Sequence, residues 1–434
     1  MSNLDVIARR HAEEAHVAVA GVRPPELDPG TSKARITTAR SNPPHPGWVA
    51  AAVALVVAVI IALPLLLRSG GEADPATTVP PAMTVPPATT LPNPPPPASG
   101  EFVPAGALQQ GCAWCPGVLL QDGRVLVVGG WMTDGSGRRP AAELFDPESV
   151  TFTPTGVPGD DFSDALGVFL EDGRVLFVFG LSEQAEIYDP VSGEFQPTAI
   201  TYPQGQGGTA TALSDGNVLL LFGDGTVATY DPTADSLASV GSMPIPAETA
   251  TLLEDGSVLV TGAGTAGVIE PGVFRYQPVS MLTPRSGHTA TRLADGQVLI
   301  AGGGNTEEPF EPISAAELFD PGTGSFVATG SLNLPRFLHA TALLDDRRVL
   351  IVGGTPGTMV GSQNGPGMAE YDHAEIYDPG SGTFSLVDSP MSQPRIAPTV
   401  ITLLDGRVLV MGNYAGNFPS ANDSSANTSE VFAP

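Results

Sequence analysis

The longest uninterrupted apolar run of the chain lies near its start. Residues 48–67 read WVAAAVALVVAVIIALPLLL, twenty residues without a charged side chain. This is the length that a helix needs to cross the hydrocarbon core of a bilayer. A cleavable signal peptide is shorter and lies closer to the start of a chain. We therefore predict that residues 48–67 form a single transmembrane helix, which acts as a signal anchor.

The residues on the two sides of this run predict its orientation. Lys33, Arg35 and Arg40 precede it, whereas acidic residues dominate the segment that follows it. Basic residues favour the cytoplasmic side of a membrane. We therefore predict a single-pass protein of the cell membrane whose N-terminus is cytoplasmic and whose residues after the span are extracytoplasmic. Residues 1–47, the predicted cytoplasmic tail, show little apolar periodicity and are expected to be mostly disordered.

A segment rich in proline and threonine follows the predicted span. Residues 68–98 include the sequence VPPAMTVPPATTLPNPPPP (79–97). Such a composition favours extended polyproline II structure and cannot build a hydrophobic core. We predict an extracytoplasmic linker that holds the following domain away from the membrane.

From residue 99 onward, a polar turn between two apolar runs recurs seven times. The aspartates of successive turns are 40 to 59 residues apart. Asp-Gly supplies the backbone angles of a tight hairpin, and the β-branched runs on both sides predict its two strands. In the sixth copy, Asp346-Arg347 replaces Asp-Gly, which predicts a different type of turn. The copies are LLQDGRVLVVGG (119–130), FLEDGRVLFVFG (169–180), ALSDGNVLLLFG (212–223), LLEDGSVLVTGA (252–263), RLADGQVLIAGG (292–303), LLDDRRVLIVGG (343–354) and TLLDGRVLVMGN (402–413).

A second motif follows each hairpin and predicts a third strand. It reads AELFDP (142–147), AEIYDP (185–190), VATYDP (227–232), AELFDP (316–321), AEIYDP (374–379) and SEVFAP (429–434). The fourth unit has only VFRYQP (273–278), which we interpret as a degenerate third strand. A short fourth strand follows in several units. Four antiparallel strands in a unit of this length are typical of a β-propeller blade.

The two ends of the repeat region predict how the ring closes. The seventh unit stops after its third strand, whereas Ser99–Pro104 matches the fourth strand at Ser192–Pro197. The N-terminal strand is therefore expected to complete the last blade. The predicted fold class is all-β, a seven-bladed propeller over residues 99–434.

Local features of the units resemble kelch repeats. A glycine pair follows the second strand in several units, and Arg-x-x-His sequences lead into the fifth and sixth hairpins at Arg285–His288 and Arg336–His339. The resemblance covers about residues 101–434 and implies a kelch-type propeller. It implies no single function, because kelch propellers serve as binding modules, enzyme cores and structural parts.

The segment Cys115-Pro116-Gly117 is similar to a segment in the propeller of galactose oxidase. That resemblance implies a copper centre with two tyrosine and two histidine ligands, one tyrosine being cross-linked to the cysteine. Residues 160–165, at the start of blade 2, contain no tyrosine, and Gly287 and Leu338 stand where a Tyr-His pair is expected. No cofactor, metal site or catalytic residue is therefore predicted.

Other polar residues of the repeats have structural explanations. Cys112 and Cys115 form a CxxC, which is expected to be a disulfide on the extracytoplasmic side. The histidines of the Arg-x-x-His sequences, on adjacent blades, suggest a metal site near the channel, but the repeat consensus explains them better. Intra-blade ion pairs are expected between two sets of residues at repeated positions, Arg285, Arg336 and Arg395 on one side and Glu317, Glu375 and Glu430 on the other.

The lengths of the loops indicate a binding face. In a propeller, the loops from the second to the third strand and the connections between blades open on one face, opposite the Asp-Gly turns. The loops from the second to the third strand are long in blades 5, 6, 7 and 1, which are neighbours in a closed ring. Loops on a rigid scaffold concentrate binding residues. The alternative is that they are disordered insertions. The candidate ligand-binding residues are Trp131, Arg138, Arg139, Phe310, Tyr371, His373, Tyr414, Asn417 and Phe418.

The charge of the chain excludes one class of partner. There are 19 Lys+Arg against 46 Asp+Glu, a formal net charge of −27. Phosphate repulsion then argues against nucleic-acid binding. The EF-hand pattern of a calcium-binding loop is absent, so surface solubility explains the acidity more simply than calcium does.

These observations predict a recognition function. We expect a single-pass membrane protein whose propeller binds an extracellular glycan or protein through the loop face of blades 5, 6, 7 and 1. Aromatic side chains beside amides and carboxylates suit carbohydrate or peptide ligands. Two alternatives remain, namely a galactose-oxidase-like or other envelope enzyme and a sensor domain that signals to the cytoplasmic tail.

Overall fold

The computed structural model describes residues 100–434, apart from 110–113, 130–140, 161, 163–164, 181, 203–206, 245–246, 271, 307–309, 358, 363–364 and 413–426, and gives only the backbone of residues 359–362 and 365–368. The predicted tail, transmembrane helix and linker, residues 1–98, lie outside this part of the chain. Within the part that is described, no helix is both long and apolar enough to cross a membrane.

The fold consists of seven four-stranded antiparallel sheets. The innermost strand of each sheet contacts the innermost strands of two neighbouring sheets, so that these strands form a closed ring. This confirms the predicted all-β, seven-bladed propeller.

From the innermost to the outermost strand, blade 1 comprises Gly117–Leu119, Val125–Val128, Ala142–Asp146 and Thr151–Pro154; blade 2, Ala165–Phe169, Val175–Phe179, Gln184–Asp189 and Glu194–Thr201; blade 3, Gly208–Ala212, Val218–Phe222, Thr226–Asp231 and Ser236–Ser242; and blade 4, Thr249–Leu252, Val258–Gly262, Thr265–Ile269 and Tyr276–Val279. Blade 5 comprises Thr289–Arg292, Val298–Ala301, Ala316–Asp320 and Ser325–Ala328; blade 6, Ala340–Leu343, Val349–Val352, Ala374–Asp378 and Thr383–Leu386; and blade 7, Thr399–Thr402, Val408–Met411, Ser429–Ala433 and Glu101–Pro104. A further two-stranded sheet, Met359–Ser362 with Gly365–Met368, lies within the long loop of blade 6.

The N-terminal strand closes the ring, as the matching sequences predict. Glu101–Pro104 pairs antiparallel with Ser429–Ala433 and forms the outermost strand of blade 7. Phe102 lies opposite Phe432 in this pairing, and their ring centroids are 4.9 Å apart. One blade is thus assembled from both ends of the propeller sequence, which ties the ring shut.

The core explains why the repeated residue types are needed. The second strand of each blade is buried over its whole length, because both of its faces pack against neighbouring blades. The aromatic residue of the third strand lies directly opposite a phenylalanine of the fourth strand in several blades, and such pairs stabilise a sheet beyond the area that they bury. The pairs are Phe145–Phe152, Tyr188–Phe195, Phe319–Phe326 and Tyr377–Phe384.

The third strand of blade 4 differs from the sequence prediction. The observed third strand is Thr265–Ile269. Of the predicted third strand, residues 273–275 precede the outermost strand Tyr276–Val279 and residues 276–278 lie in it. The cause is a tight turn directly after the second strand, where Ala263 and Gly264 have φ angles of 47° and 78°. This turn brings the apolar sequence TAGVI back along the second strand before VFRYQP is reached.

The turn at Asp346-Arg347 also corrects a prediction. Arg347 has a φ angle of 72°, and its N–H donates to the carbonyl of Leu344, as the N–H of Gly123 donates to the carbonyl of Leu120 in blade 1. The predicted difference in turn type is therefore wrong. Arginine here adopts the left-handed conformation that glycine adopts more easily in the other copies.

Candidate functional site

The two faces of the propeller carry different kinds of connection. The Asp-Gly turns share one face with the turns between third and fourth strands. For example, Arg174 in an Asp-Gly turn donates a hydrogen bond of 3.2 Å to the carbonyl of Pro232 in the neighbouring blade. The loops from the second to the third strand and the connections between blades lie on the opposite face, which we call the loop face.

A buried arginine fixes the loop face in blade 6. Arg336 has no exposed surface, and its Nη2 donates to Oε1 of Glu375 at 2.9 Å. Its Nη1 donates to the carbonyls of Gly353 and His373 at 2.8 and 3.1 Å. These two carbonyls stand at the start and the end of the long loop. The predicted ion pairs within blades are confirmed, because the matching pairs are Arg285–Glu317 at 2.7 Å and Arg395–Glu430 at 3.2 Å.

Burial makes this arrangement sensitive to the loss of one partner. Desolvation lowers the pKa of Arg336 from its ordinary value, and the charge of Glu375 opposes that effect. Arginine nevertheless stays protonated in proteins. Removing one member of a buried pair leaves a buried charge without a counter-ion, which costs about 3–5 kcal/mol of folding free energy.

The backbone of the same arginines ties each loop to the next blade. The N–H of Gly303 donates to the carbonyl of Arg336 at 2.8 Å, and the N–H of Gly354 donates to that of Arg395 at 2.8 Å. Both glycines have positive φ angles, and a Cβ on Gly354 would lie 2.8 Å from the carbonyl oxygen of Phe337. The glycine pairs of the repeat therefore allow adjacent blades to approach closely at the loop face.

Two of the predicted ligand-binding residues lie on either side of one short segment. Phe310 is 44% exposed and packs edge-on against Phe337, with ring centroids 5.0 Å apart. Tyr371 lies over the guanidinium of Arg336, at 5.0 Å from ring centre to Cζ, and its hydroxyl donates to the carbonyl of Pro335 at 3.4 Å. The connection from blade 5 to blade 6 thus contacts both rings. We give the name aromatic patch to the rings of Phe310 and Tyr371 together with the segment Pro335, Arg336 and Phe337.

Backbone hydrogen bonds hold both rings of the aromatic patch in place. The N–H of Asn305 donates to the carbonyl of Glu311 at 2.9 Å, and the N–H of Glu311 donates to Asn305 Oδ1 at 2.8 Å, which closes the loop that carries Phe310. The carbonyl of Tyr371 accepts a hydrogen bond of 3.0 Å from the N–H of Arg395 in blade 7. The patch is therefore built on anchored backbone.

The remaining predicted residues are distributed differently. The side chain of His373 is 49% exposed, and its Nδ1 lies 2.5 Å from Oδ1 of Asp372. Asp372 is the residue that directly follows Tyr371. Six others, from blades 1 and 7, lie outside the described residues: Trp131, Arg138, Arg139, Tyr414, Asn417 and Phe418. The structure thus brings together Phe310 and Tyr371 through the segment 335–337.

The two repeat histidines are buried between blades. Nε2 of His288 lies 2.5 Å from Oγ1 of Thr261 in blade 4, and Nε2 of His339 lies 3.0 Å from Oγ1 of Thr289 in blade 5. Burial lowers the pKa of His288 to about 4 and that of His339 to about 3. Both are therefore neutral at pH 7. No group of three or more His, Cys, Asp and Glu side chains in the described part of the chain could hold a metal ion.

The residues at the galactose-oxidase-like segment do not fit a copper centre. Cys115 is buried and disulfide-bonded, so its sulfur is not free for a cross-link to tyrosine. Cys112, the only other cysteine of the chain, lies outside the described residues. The carbonyl of Cys115 accepts a hydrogen bond of 2.7 Å from Oγ1 of Thr399, which joins blade 1 to blade 7. The segment has a structural role at the closure of the ring.

One repeated backbone feature of the loop face was missed in the sequence. The residue two positions before the innermost strand has a positive φ angle in blades 5, 6 and 7: Gly287 at 67°, Leu338 at 54° and Ala397 at 49°. The N–H of Ala397 also donates to the carbonyl of Leu338 at 2.7 Å. Only Gly287 signals this conformation in the sequence, because leucine and alanine rarely adopt it.

Comparisons with known proteins show the fold but no family. No protein-family model matches the chain, and no curated protein matches it. The resemblance to kelch repeats therefore stays a prediction.

Two solved structures are similar to the propeller. The first is a fungal alcohol oxidase of the AA5 family in complex with copper, at a TM-score of 0.63 and 17% sequence identity, covering 77% of this chain and 76% of that one. The second is a streptogramin B lyase, at a TM-score of 0.54 and 12% identity, covering 77% of this chain and 97% of that one. At these identities the likeness shows a shared propeller fold, with a galactose-oxidase-like neighbour, and nothing about activity.

Proposed function

We propose that this protein is a membrane-anchored recognition propeller that binds a glycan or protein ligand on the extracytoplasmic side through its loop face. The observation that carries the proposal is the aromatic patch, in which the exposed ring of Phe310 and the partly exposed ring of Tyr371 flank one connection between blades. Aromatic rings present a large contact area with few rotatable bonds, which suits recognition of sugar rings and peptide side chains.

The anchoring beneath the patch supports this proposal. The ion pair of Arg336 with Glu375 and its hydrogen bond to the carbonyl of His373 fix the backbone near Tyr371. The hydrogen bonds between Asn305 and Glu311 fix the loop that carries Phe310. A surface that is already ordered loses little conformational entropy when a ligand binds, so more of the contact energy remains as affinity. The loop face of blades 5 and 6 is therefore suited to binding.

The anchor is part of the proposal and has its own test. Residues 48–67 would hold the chain in the membrane and residues 68–98 would extend the propeller from it. Deleting residues 48–67 should move the protein from the membrane fraction to the soluble fraction and leave its thermal unfolding unchanged. Retention of the deleted chain in the membrane fraction, resistant to high salt, would refute the anchor.

A binding panel with matched variants tests recognition. The purified full-length chain is screened against envelope polysaccharides and extracellular proteins, alongside Phe310→Ala and Val191→Ala. Val191 is 96% exposed but lies in a turn on the opposite face. We expect a ligand whose affinity falls about tenfold in Phe310→Ala and stays unchanged in Val191→Ala. Ligands that bind all three proteins equally would refute the role of the patch.

The alternative function, a galactose-oxidase-like or other envelope enzyme, draws on the similarity to the fungal alcohol oxidase. A copper enzyme on this chain would need ligands other than Cys115 and the two buried histidines. Metal analysis of the purified chain separates the two functions. Stoichiometric copper that survives dialysis would favour the enzyme over the binding propeller.

A further inference from the structure

An acidic residue directly follows each of Phe310 and Tyr371 in the sequence. Glu311 directly follows Phe310 and is exposed. Asp372 directly follows Tyr371; its side chain is 42% exposed, and its Oδ1 lies 2.5 Å from Nδ1 of His373. The backbone that holds these acids is the same anchored backbone that holds the rings, so that each ring is followed by an exposed or partly exposed carboxylate on the loop face.

Nearly all arginines in the described part of the propeller are used within the chain. Residues 100–434 contain no lysine. Every arginine in the described part of the chain except Arg347 is ion-paired with a carboxylate of the chain. Arg347 lies in a hairpin turn on the face opposite the patch. Among the described residues, the patch therefore offers an anionic ligand no exposed arginine or lysine.

This combination favours a cationic ligand. A guanidinium or ammonium group is attracted to the face of an aromatic ring, and a carboxylate next to the ring adds a charge-assisted hydrogen bond. The net charge of −27 would steer a basic partner toward the propeller before contact. A neutral sugar gains nothing from these charges.

Resting on the proposed function, we propose that the aromatic patch binds an arginine- and lysine-rich peptide segment of a partner protein. The segment would lie across the connection at 335–337. One basic side chain would contact the ring of Phe310 and Glu311, and another would contact the ring of Tyr371 and Asp372.

Fluorescence polarisation with a defined probe tests this inference. The probe is a fluorescein-labelled peptide of eight residues in which arginine and serine alternate, titrated with the full-length chain in detergent. We expect Phe310→Ala to weaken binding about tenfold and Phe310→Tyr, which keeps the ring, to bind within about twofold of the natural chain. Thermal unfolding of both variants confirms that they are folded.

A second pair of variants separates local recognition from general attraction to an acidic protein. Glu311→Gln removes one negative charge beside Phe310, and Glu148→Gln removes one exposed charge on the opposite face. We expect the first to weaken binding about threefold and the second to leave it unchanged. Equal losses in both, or no binding of the probe by the natural chain below 1 mM, roughly the limit of weak specific binding, would overturn the inference.

A neutral oligosaccharide, cellohexaose, distinguishes failure of this inference from failure of the proposed function. If cellohexaose binds in a way that depends on Phe310 and the basic peptide does not bind, the recognition function stands and the basic ligand is wrong. If the affinity of neither probe depends on Phe310, and no ligand of the wider panel depends on it, both are wrong. A labelled glutamate–serine peptide, expected not to bind, completes the controls.

Discussion

The guanidinium of Arg336 lies 5.0 Å from the centre of the Tyr371 ring. The same guanidinium is ion-paired with Glu375 and bonded to both ends of the long loop of blade 6. One buried side chain therefore supports the fold of the blade and the aromatic patch at the same time.

This relationship predicts that Arg336→Met is strongly destabilising. It would leave Glu375 buried without a counter-ion and should lower the free energy of unfolding by about 3–5 kcal/mol. The double variant Arg336→Met with Glu375→Leu should recover only part of that loss. No charge is then buried alone, but the N–H groups of Asn333 and Leu334 lose the carboxylate that accepts their hydrogen bonds. Denaturant unfolding measures the stability of both variants. The control is Arg275→Ala, which removes an exposed ion pair and should change the free energy of unfolding little. A single variant as stable as the control would contradict the account.

Closure of the ring by the N-terminal strand predicts that substitutions at two neighbouring residues of this strand differ greatly in their effect on stability. Phe102 is 7% exposed and packs on Phe432, whereas Val103 is 49% exposed. Phe102→Ala should cost about 3–5 kcal/mol, and Val103→Ala less than about 0.5 kcal/mol. A chain that starts at residue 108 should lose more than either. If that chain unfolds at the same temperature as one that starts at residue 99, the strand does not close blade 7.

The buried histidines predict a loss of stability in mild acid. Folding lowers the pKa of His288 to about 4 and of His339 to about 3, from an ordinary value of 6.5. The unfolded chain therefore binds more protons below pH 6.5, so stability falls as the pH drops from 6.5 toward 4. The loss should be on the order of 2–3 kcal/mol per histidine at pH 4.

The variant His288→Gln with His339→Gln is the control for that prediction. Its free energy of unfolding should depend less on pH between 6.5 and 4 than that of the natural chain, even if it is lower at pH 7. Unfolding by urea at a series of pH values measures the two slopes. Identical slopes would show that the histidines do not cause the acid sensitivity.

The left-handed residues of the loop face predict substitutions of opposite sign. Gly287→Ala should lower the free energy of unfolding by about 1 kcal/mol, because alanine is strained at the φ angle of 67°. The added Cβ itself would make only ordinary contacts with Phe337, at 3.7 and 3.8 Å. Ala397→Gly, at a φ angle of 49°, should stabilise by about 0.5 kcal/mol. Thermal unfolding checks both. Two changes of the same sign would mean that backbone strain does not set stability at this position.

Local patterns were sufficient to predict most of the fold. The turn aspartates, the flanking apolar runs and the aromatic residue before Asp-Pro each depend on contacts within one blade, so the sequence of that blade contains the signal. The match between Ser99–Pro104 and Ser192–Pro197 likewise revealed the closing strand. The prediction failed at VFRYQP in blade 4. There the turn at Ala263-Gly264 pairs Thr265–Ile269, which lacks the repeat motif, with the second strand.

The candidate site was harder to predict because it lies between blades. Phe310 and Tyr371 could be selected by their positions in long loops. Their contacts, however, are with Phe337, Pro335 and Arg336, in a connection whose Arg-x-x-His sequence matches the repeat consensus. Such contacts depend on how two blades are placed side by side. No periodicity within either blade encodes them.

Photo-crosslinking at Phe310 tests directly whether a partner binds at the loop face. A photoreactive phenylalanine analogue is placed at position 310 in the full-length chain in its native cells. The control carries it at position 191, which is more exposed and lies on the opposite face. We expect a discrete crosslinked product at position 310 and none at position 191. A product at position 191 alone, or the same products at both positions, would contradict recognition through the loop face.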